Sequence, residues 1–339
     1  MKSINWKKIL RLLPGFIISI IAIFVLSKMT DFTKLVSAFS LLNPLVIVAG
    51  VILTILSSMA RTQAWRTLLV SRVSFEKSFH ILNIGFMLNN LFPLRTGEIG
   101  RALLMGKASK LGTFRVLSSI VIERSFDLVM AACFILTTLP FVVNADWARS
   151  LAIVVMVAVI FALICLFIIA RNISPVSKFI NRVGIKNKFL AKYLIPPINS
   201  LLLGLEALTS LKLLLLSIFW IILAWGIYLN ATYLFLISFI DFHPVWLLIF
   251  LSGAVALGIA VPAAPGSIGV YEASFVAVLS LFQIVPSQSL AFALCLHFTN
   301  WITMTLLGVY GSMKLGYSFS ELSMEIESKN TIVQEENTL

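Results

Sequence analysis

Two long apolar stretches of this chain are interrupted by the same eight-residue pattern, Pro-x-x-x-Gly-x-Ile-Gly. The first copy reads PLRTGEIG at residues 93–100, and the second reads PAAPGSIG at residues 262–269. Their offset is 262 − 93 = 169 residues, half the length of a chain of 339 residues. In membrane proteins, Gly and Pro breaks at corresponding places in two halves point to a binding site at the interface of two repeats. The pattern therefore predicts two equivalent halves that meet at a site.

The composition is that of a protein embedded in a lipid bilayer. Hydrophobic residues make up 60% of the chain and charged residues 12%, and the mean hydropathy is +1.02. Several apolar runs reach the roughly 18–25 residues that cross a bilayer. Because lipid cannot satisfy free backbone N–H and C=O groups, such runs predict helices. We expect an all-α polytopic membrane protein whose first run, at residues 9–26, is a retained signal anchor.

Charge and cysteine usage exclude several classes of protein. The net charge is +12, and the basic residues cluster beside the apolar runs. They therefore suit an anionic membrane surface rather than a nucleic acid. Cys133, Cys165 and Cys295 lie far apart in apolar runs and predict neither disulfides nor a metal site. The patterns GxxxxGK[ST], HExxH, CxxC and GxSxG are absent, so we expect no cofactor, no metal and no nucleophile motif.

The positions of Lys and Arg orient the apolar runs through the positive-inside rule. Basic residues flank residues 79–106 on both sides, so this stretch is expected to enter and leave the membrane on the cytoplasmic side. It would form a re-entrant hairpin with its tip at residues 93–97. Between Leu213 and Met313 the chain has no Lys or Arg. A second hairpin, with its tip at residues 262–269, is therefore expected to enter from the opposite side.

The two predicted repeats, residues 43–140 and 212–310, thus have opposite orientation. We expect an inverted-topology repeat of about six spanning helices and two broken hairpins, within one transmembrane domain at residues 1–316. The expected hinges are Pro93, Gly97, Pro262, Pro265, Gly266 and Gly269. The basic stretch at residues 171–210 is expected to lie along the lipid headgroups, and the acidic tail at residues 317–339 to be disordered. The alternative is a plain bundle of about eight to ten spans with kinked helices.

Seven charged side chains fall inside predicted membrane segments. They are Arg95, Glu98, Arg101, Glu123, Arg124, Asp127 and Glu272. A charge at membrane depth is costly unless it is paired or faces a polar cavity, so each is a candidate for a substrate-binding site. The alternative is a set of salt bridges that only holds the first hairpin in place. Arg61 and Arg66 are equally candidates for interfacial anchors, which is the favoured interpretation for Arg66.

The spacing of these charges predicts an anion site at the first hairpin. Glu123 and Asp127 are four residues apart and share one helix face, while Arg124 is expected to point off that face. Glu98 and Arg101 are three residues apart at the start of the second arm. A helix N-terminus beside an Arg suits a phosphate, which a guanidinium binds through two hydrogen bonds.

Other polar residues extend this candidate site. The first tip adds Asn89 and Asn90, whereas the second hairpin has only Glu272 and the small residues AAPGSIG. We therefore expect the first copy to carry the chemistry and the second to supply shape, either as a close-packing partner or as a gate that lets the backbone approach the substrate. His297 and Asn300, three residues apart in the last run, either line the same cavity or form hydrogen bonds between helices.

With these blocks in place, the chain resembles the lysylphosphatidylglycerol synthase transmembrane-region family, flippase-like proteins of bacteria and archaea. The likeness rests on RTQAWRTLL at residues 61–69, NIGFMLNNLFPLRTGEIGRALLMGK at 83–107, IERSFDLV at 122–129 and PAAPGSIGVYEA at 262–273. The resemblance implies that Arg95, Glu98, Arg101, Glu123, Arg124 and Asp127 belong to the polar centre of that family. It also implies a bacterial or archaeal cytoplasmic membrane, and the basic residues place both termini on the cytoplasmic side.

The resemblance implies a function in lipid movement. In the best-known members, the membrane unit moves aminoacylated phosphatidylglycerol between leaflets, and a separate C-terminal domain makes that lipid. This sequence ends shortly after its last apolar run, so we expect no synthase domain, and the lipid stays open between aminoacylated and polyprenyl-linked forms. We expect a flippase for a phosphate-bearing headgroup, with membrane phospholipids as partners. The alternatives are a membrane-embedded lipid transferase and a non-catalytic partner of a separate lipid synthase or transferase. All three are compatible with an oligomer.

Overall fold

Helices and turns make up all of the described chain, as the sequence predicts for an apolar polytopic protein. The computed structural model describes residues 6–40, 42–70, 72–93, 95–142, 146–184, 195–241, 244–259, 263–318 and 321. Within these ranges there is no strand. Most of the predicted acidic tail at residues 317–339 lies outside the described residues.

The chain begins with two helices that meet at a sharp bend. Helix α1 spans Trp6–Met29 and α2 spans Phe32–Phe39, and the chain turns by 91° between them. The carboxylate of Asp31 accepts hydrogen bonds from the N–H groups of Thr33 and Lys34. These are backbone donors that the start of a helix leaves free, so Asp31 stabilises the new helix direction. The predicted first span is therefore helical but does not continue straight.

Four helices follow in the first predicted repeat. They are α3 (Pro44–Leu68), α4 (Phe75–Leu91), α5 (Thr96–Ser109) and α6 (Thr113–Val142). Helices α4 and α5 pack against each other across a short turn that contains Pro93, so a broken hairpin forms where the sequence predicts one. Helix α5 already begins at Thr96, which places Gly97 in its first turn rather than at the tip.

The second half repeats this order of long, short, short and long helices. Its helices are α11 (Leu211–Phe239), α12 (Val245–Gly258), α13 (Val270–Ser280) and α14 (Pro286–Leu315). The connection between the halves contains α7 (Asp146–Arg171), α8 (Ile173–Gly184), α9 (Ile195–Gly204) and α10 (Glu206–Thr209). A single 3-10 turn, Pro265–Ser267, lies between α12 and α13, which pack against each other. The predicted hinge Pro262 lies outside the described residues.

Several helices are long and apolar enough to cross a bilayer. Among the described residues these are α3, α6, α11 and α14, or five spans if the bent pair α1 and α2 counts as one. Large apolar side chains stay exposed along them, as at Leu45 (71%), Leu215 (57%) and Leu306 (63%). An exterior of this kind suits lipid rather than water. The protein is thus a multi-pass membrane protein, while the predicted number of about six spans stays a prediction.

Packing between the two halves is reciprocal. Helix α3 packs along α11, α4 along α14, and α6 along α12. Because α4 corresponds in order to α12, and α6 to α14, the last two contacts are the same contact with the halves exchanged. Helices α3 and α11 run antiparallel, since Gly50 lies against Phe235 whereas Ser57, seven residues later, donates to the carbonyl oxygen of Ala224 at 3.0 Å.

Glycines allow the two reciprocal pairs to approach closely. A Cβ atom on Gly308 of α14 would overlap the side chain of Met87 on α4. In the same way, a Cβ on Gly253 of α12 would lie 2.8 Å from the carbonyl oxygen of Ala131 on α6. Small residues at such contacts are how helices pack in lipid, where no hydrophobic effect drives them together.

Candidate functional site

A network of charged side chains joins α3, α5 and α6, with Glu123 at its centre. Glu123 Oε2 accepts a hydrogen bond of 2.7 Å from Arg101, and Oε1 accepts bonds of 2.6 Å from Arg124 and 3.2 Å from Arg61. The side chains of Glu123 and Arg101 are 0% and 1% exposed. The Arg101 guanidinium also lies 4.2 Å from the centre of the Trp65 ring. These partners offset the cost of burying both charges.

Asp127 lies one helical turn beyond Glu123 and contacts the same guanidinium groups. Arg61 binds both of its oxygens, at 2.8 Å from Nη1 to Oδ2 and 3.1 Å from Nη2 to Oδ1. Arg124 Nη1 lies 3.2 Å from Oδ2, and Trp225 on α11 donates from Nε1 to Oδ1 at 3.0 Å. The two acidic residues share one helix face, as their spacing predicts. Trp225 connects this face to the second half of the chain.

Two arginines lie elsewhere than the sequence suggests. The expectation that Arg124 points off the acidic face is wrong, because its long side chain folds back and bridges Glu123 and Asp127. Arg61, treated as equally an interfacial anchor, is part of the network. A signal was available, since Arg61 lies two turns inside the end of α3, deeper than Arg66. Arg66 donates instead to a backbone carbonyl at 2.7 Å, outside the network.

The turn between α4 and α5 and the start of α5 bring Arg95 and Glu98 to the edge of this network. Glu98 Oε1 lies 3.7 Å from Arg124 Nε, a separation too long for a direct hydrogen bond. Arg95 has a left-handed backbone conformation, with φ 53°, and its side chain is exposed. Arg95 Nη2 donates to the carbonyl oxygen of Ile259 at 2.8 Å, which connects the two hairpins. No carboxylate among the described residues forms an ion pair with Arg95.

The two asparagines before this turn have different roles. Asn89 Oδ1 accepts a hydrogen bond of 2.8 Å from the N–H of Gly97, so it caps the start of α5 from the preceding helix. Asn90 donates to the carbonyl oxygen of Trp301 at 3.1 Å and to Oγ1 of Thr305 at 3.0 Å. Asn90 therefore ties the first hairpin to α14.

The second turn is closely packed, as its small residues predict. Gly266 and Gly269 have φ angles of 64° and 85°, which glycine adopts without strain. A Cβ on Gly266 would lie 2.7 Å from Trp301 Nε1, and one on Gly269 would lie 2.9 Å from Ile23. Pro265 begins the 3-10 turn. The turn thus fills the space between α1 and α14.

Glu272 and His297 form a second buried pair, separate from the arginine network. Glu272 Oε1 lies 2.5 Å from His297 Nδ1, and the Glu272 side chain is 5% exposed. Glu272 Oε2 accepts a hydrogen bond of 2.8 Å from the N–H of Gly269 and so caps α13. The His297 ring stacks on Tyr271 with 4.2 Å between ring centres. Glu272 therefore serves its own helix start rather than the arginine network.

A cavity of about 440 Å³ lies between the two halves. Its wall includes, among the residues that the sequence singles out, Asn89, Asn90, Arg95, Arg124, Asp127, His297 and Asn300. Arg101, Glu123 and Glu98 do not line it, and Glu272 lines a second cavity of about 310 Å³. His297 and Asn300 both line the cavity and form hydrogen bonds within or between helices, so both interpretations apply. The volume is in the range of sites for small molecules and headgroups.

The charge at the cavity wall favours an anion. The lining includes the guanidinium groups of Arg61, Arg95 and Arg124 but only one carboxylate, that of Asp127. Behind the wall, Glu98 and Glu123 complete a set of three carboxylates around Arg61, Arg101 and Arg124. Arg95 then remains as a positive charge that no described carboxylate balances. A phosphate suits such a wall, because a guanidinium binds a phosphate or a carboxylate through two parallel hydrogen bonds.

Two comparisons with known proteins find relatives of this chain. The family described as the lysylphosphatidylglycerol synthase TM region matches residues 12–308, which include the network, both turns and the cavity. A UPF0104 membrane protein of Methanocaldococcus jannaschii is 24% identical over 314 residues, which cover 86% of this chain and 91% of that protein. No solved structure matches the chain.

Proposed function

Since the chain belongs to the lysylphosphatidylglycerol synthase transmembrane-region family, we propose that it moves a phosphate-bearing lipid headgroup between the two membrane leaflets. The headgroup, aminoacylated or polyprenyl-linked, enters the polar cavity while the hydrocarbon chains stay outside it, on the side of the membrane. The family match and the four or five candidate spans support a membrane protein that acts on lipids. The proposed movement involves no covalent change in the lipid.

The unbalanced guanidinium of Arg95 at the cavity wall is the observation that carries this proposal. A headgroup phosphate would balance this charge and accept charge-assisted hydrogen bonds from Arg95, which are about twice as strong as neutral ones. The Asp127 carboxylate binds both Arg61 and Arg124, and so fixes the orientation of their guanidinium groups at the wall of the same cavity. The wall therefore offers an unbalanced positive charge to a ligand.

We propose further that α3–α6 and α11–α14 are the two members of an inverted-topology repeat. The reciprocal packing of α4 on α14 and α12 on α6 supports a two-fold relation, since this is the pattern of a self-complementary interface. The corresponding helices α3 and α11 lie antiparallel. A two-fold axis that relates antiparallel helices is perpendicular to them. For spanning helices this axis lies in the membrane plane, as in an inverted repeat.

An inverted repeat gives a physical route for the headgroup. The cavity is lined by α3, α4 and α6 from one half and by α11, α12 and α14 from the other. Rocking of one half against the other would open such a cavity to each leaflet in turn. In this arrangement the protein has about six spans and two re-entrant hairpins in the cytoplasmic membrane, with both termini cytoplasmic.

The proposal is tested by reconstitution of the purified protein. Lipids that copurify are first identified by mass spectrometry, and a headgroup-labelled form of the main phosphate-bearing species is placed in liposomes. With wild-type protein, an outer-leaflet quencher should reach nearly all of the label, whereas in empty liposomes it should reach only the outer leaflet. Equal quenching in both would overturn the translocase. A chemically altered lipid would instead favour a transferase, and an inactive protein that copurifies with a synthase would favour the scaffold.

A further inference from the structure

A second cavity, apolar in character, adjoins the polar cavity. It measures about 310 Å³ and lies between α1, α2, α13 and α14. Its wall includes Leu26 on α1, Leu35 on α2 and Leu290 and Leu294 on α14. The polar groups of its lining are confined to Ser27, Glu272, His297 and the indole of Trp301. Such a space suits hydrocarbon rather than water or a headgroup.

Two residues of α14 separate the two cavities. His297 and Trp301, four residues apart, line both of them. They lie on one helix face, since residues at this spacing stand one turn above the other. The side chains of His297 and Trp301 therefore form the shared wall between a polar and an apolar cavity.

The apolar cavity is also open towards the lipid-facing exterior. Three of its lining residues, Ile23, Phe32 and Phe298, are 48%, 60% and 53% exposed. A further apolar cavity of about 320 Å³ shares Leu294 and Phe298 with it and continues along α14 towards α3. The three cavities therefore lie next to one another beside α14, the first with a partly polar lining and the other two with apolar linings. A lipid likewise has a polar headgroup at one end and hydrocarbon at the other.

We propose that the apolar cavity binds one hydrocarbon chain of the lipid whose phosphate-bearing headgroup occupies the polar cavity. His297 and Trp301, which line both cavities, lie where the chain joins the headgroup. This inference rests on the proposed function and names the substrate class: a lipid with a flexible chain linked through oxygen, not a water-soluble phosphate compound. It also gives a role to α1 and α2, which lie outside both predicted repeats but form one wall of the site.

Acyl glycerolipids and polyprenyl phosphates present the same chemistry at this junction, an acceptor oxygen followed by hydrocarbon. The test therefore uses two probes, phosphatidylglycerol with a diazirine in one acyl chain and a polyprenyl phosphate with a diazirine in its chain. Each is added in trace amounts to phosphatidylcholine vesicles that contain the full-length protein. After irradiation, the cross-linked residues are located by mass spectrometry. At least one probe should form adducts at Leu26, Leu35 or Leu294.

Variants separate this site from ordinary lipid contact. Leu294→Trp fills the cavity from α14, and Ser27→Trp fills it from the opposite wall at an exposed position. Each should lower the number of adducts at the cavity roughly tenfold, because losing the apolar contact of about one buried side chain weakens binding by about that factor. Val309→Trp, on the exposed face of α14 outside the three cavities, is the matched control and should leave them unchanged.

Three outcomes would overturn the proposed binding site for the hydrocarbon chain, which we call the tail site. One is equal labelling of the cavity by a diazirine diacylglycerol, which lacks the phosphate, since this would indicate contact with bulk lipid only. The second is equal labelling of Leu294→Trp, Ser27→Trp and Val309→Trp. The third is headgroup movement by wild-type protein without adducts at the cavity, which would leave the translocase standing. Adducts at the cavity without headgroup movement would support the tail site and overturn the translocase.

Discussion

Arg95 Nη2 donates a hydrogen bond of 2.8 Å to the carbonyl oxygen of Ile259, and this contact ties the turn of the first hairpin to the end of α12. The two points where the apolar stretches are interrupted thus meet through one exposed guanidinium. A backbone carbonyl does not neutralise that charge, so Arg95 keeps its capacity to bind an anion. A guanidinium has five N–H donors and Ile259 accepts from one of them, so the others stay available to a ligand phosphate.

Arg95→Gln should slow headgroup movement at least tenfold without lowering the unfolding temperature. The loss reflects one charge-assisted hydrogen bond of about 1.5–3 kcal/mol, and the fold is spared because the side chain is exposed. Movement is measured by quenching in liposomes, and stability by thermal unfolding in detergent. Arg66→Gln, which removes an arginine outside the network, is the matched control. Wild-type movement by Arg95→Gln would remove Arg95 from the site.

Glu123→Gln should destabilise the protein by about 3–5 kcal/mol, because it leaves Arg101 buried with no carboxylate partner. Its unfolding temperature in detergent should fall clearly. In Glu123→Gln combined with Arg101→Met, part of this loss should be recovered, since the unpaired buried charge is gone. If the single variant is as stable as wild type, the network does not hold the first hairpin in place.

Asp127→Asn should lower headgroup movement more than it lowers the stability of the protein. Asp127 is partly exposed at the cavity wall, so its loss should cost less stability than that of Glu123 while it frees Arg61 and Arg124 to change orientation. We expect headgroup movement to fall roughly tenfold as oriented guanidinium groups lose their shared partner. Trp225→Phe removes one hydrogen bond to the same carboxylate and part of a buried ring that contacts Phe134 and Tyr228. It leaves the two guanidinium groups their shared partner, so headgroup movement should fall less than in Asp127→Asn. Equal stability losses in Asp127→Asn and Glu123→Gln would indicate a purely structural network.

The broken hairpins could be predicted from sequence because their causes are local. Pro93 lacks a backbone donor, Gly266 and Gly269 have positive φ angles, and the flanking apolar runs are too short to span. The acidic face of α6 followed from the spacing of Glu123 and Asp127. Each of these features depends on residues within a few turns of one another.

The partners of long side chains could not be predicted, because they depend on how helices pack. Arg124 reaches back across its own helix face because Glu98, on another helix, and both acidic residues of α6 surround it. The bend at Asp31, in contrast, has a local cause, since Asp31 caps the first turn of α2. Glu272 caps α13 and pairs with His297, and these two contacts hold its side chain at the apolar cavity rather than in the arginine network.

Gly266→Ala should destabilise the second turn by about 1–2 kcal/mol. Its φ angle of 64° is costly for a residue with a Cβ, and that atom would lie 2.7 Å from Trp301 Nε1. Gly226→Ala, in the middle of α11 where no atom lies within 4 Å, should instead stabilise the protein by about 0.5–1 kcal/mol. Both are measured by unfolding in detergent. Opposite signs at the two glycines are required, because only Gly266 is constrained by its conformation and neighbours.

The inverted repeat predicts opposite sidedness for two exposed residues that follow corresponding parts of the two halves. Lys110 comes directly after α5 and Gln283 shortly after α13, and both are exposed. In a protein whose three native cysteines are replaced by serine, Lys110→Cys should react with a membrane-impermeant thiol reagent from the cytoplasmic side only. Gln283→Cys should react from the outside only. Reaction of both from the same side would leave the reciprocal packing of α3–α6 and α11–α14 intact but would exclude an axis in the membrane plane, since that axis exchanges the two faces of the membrane.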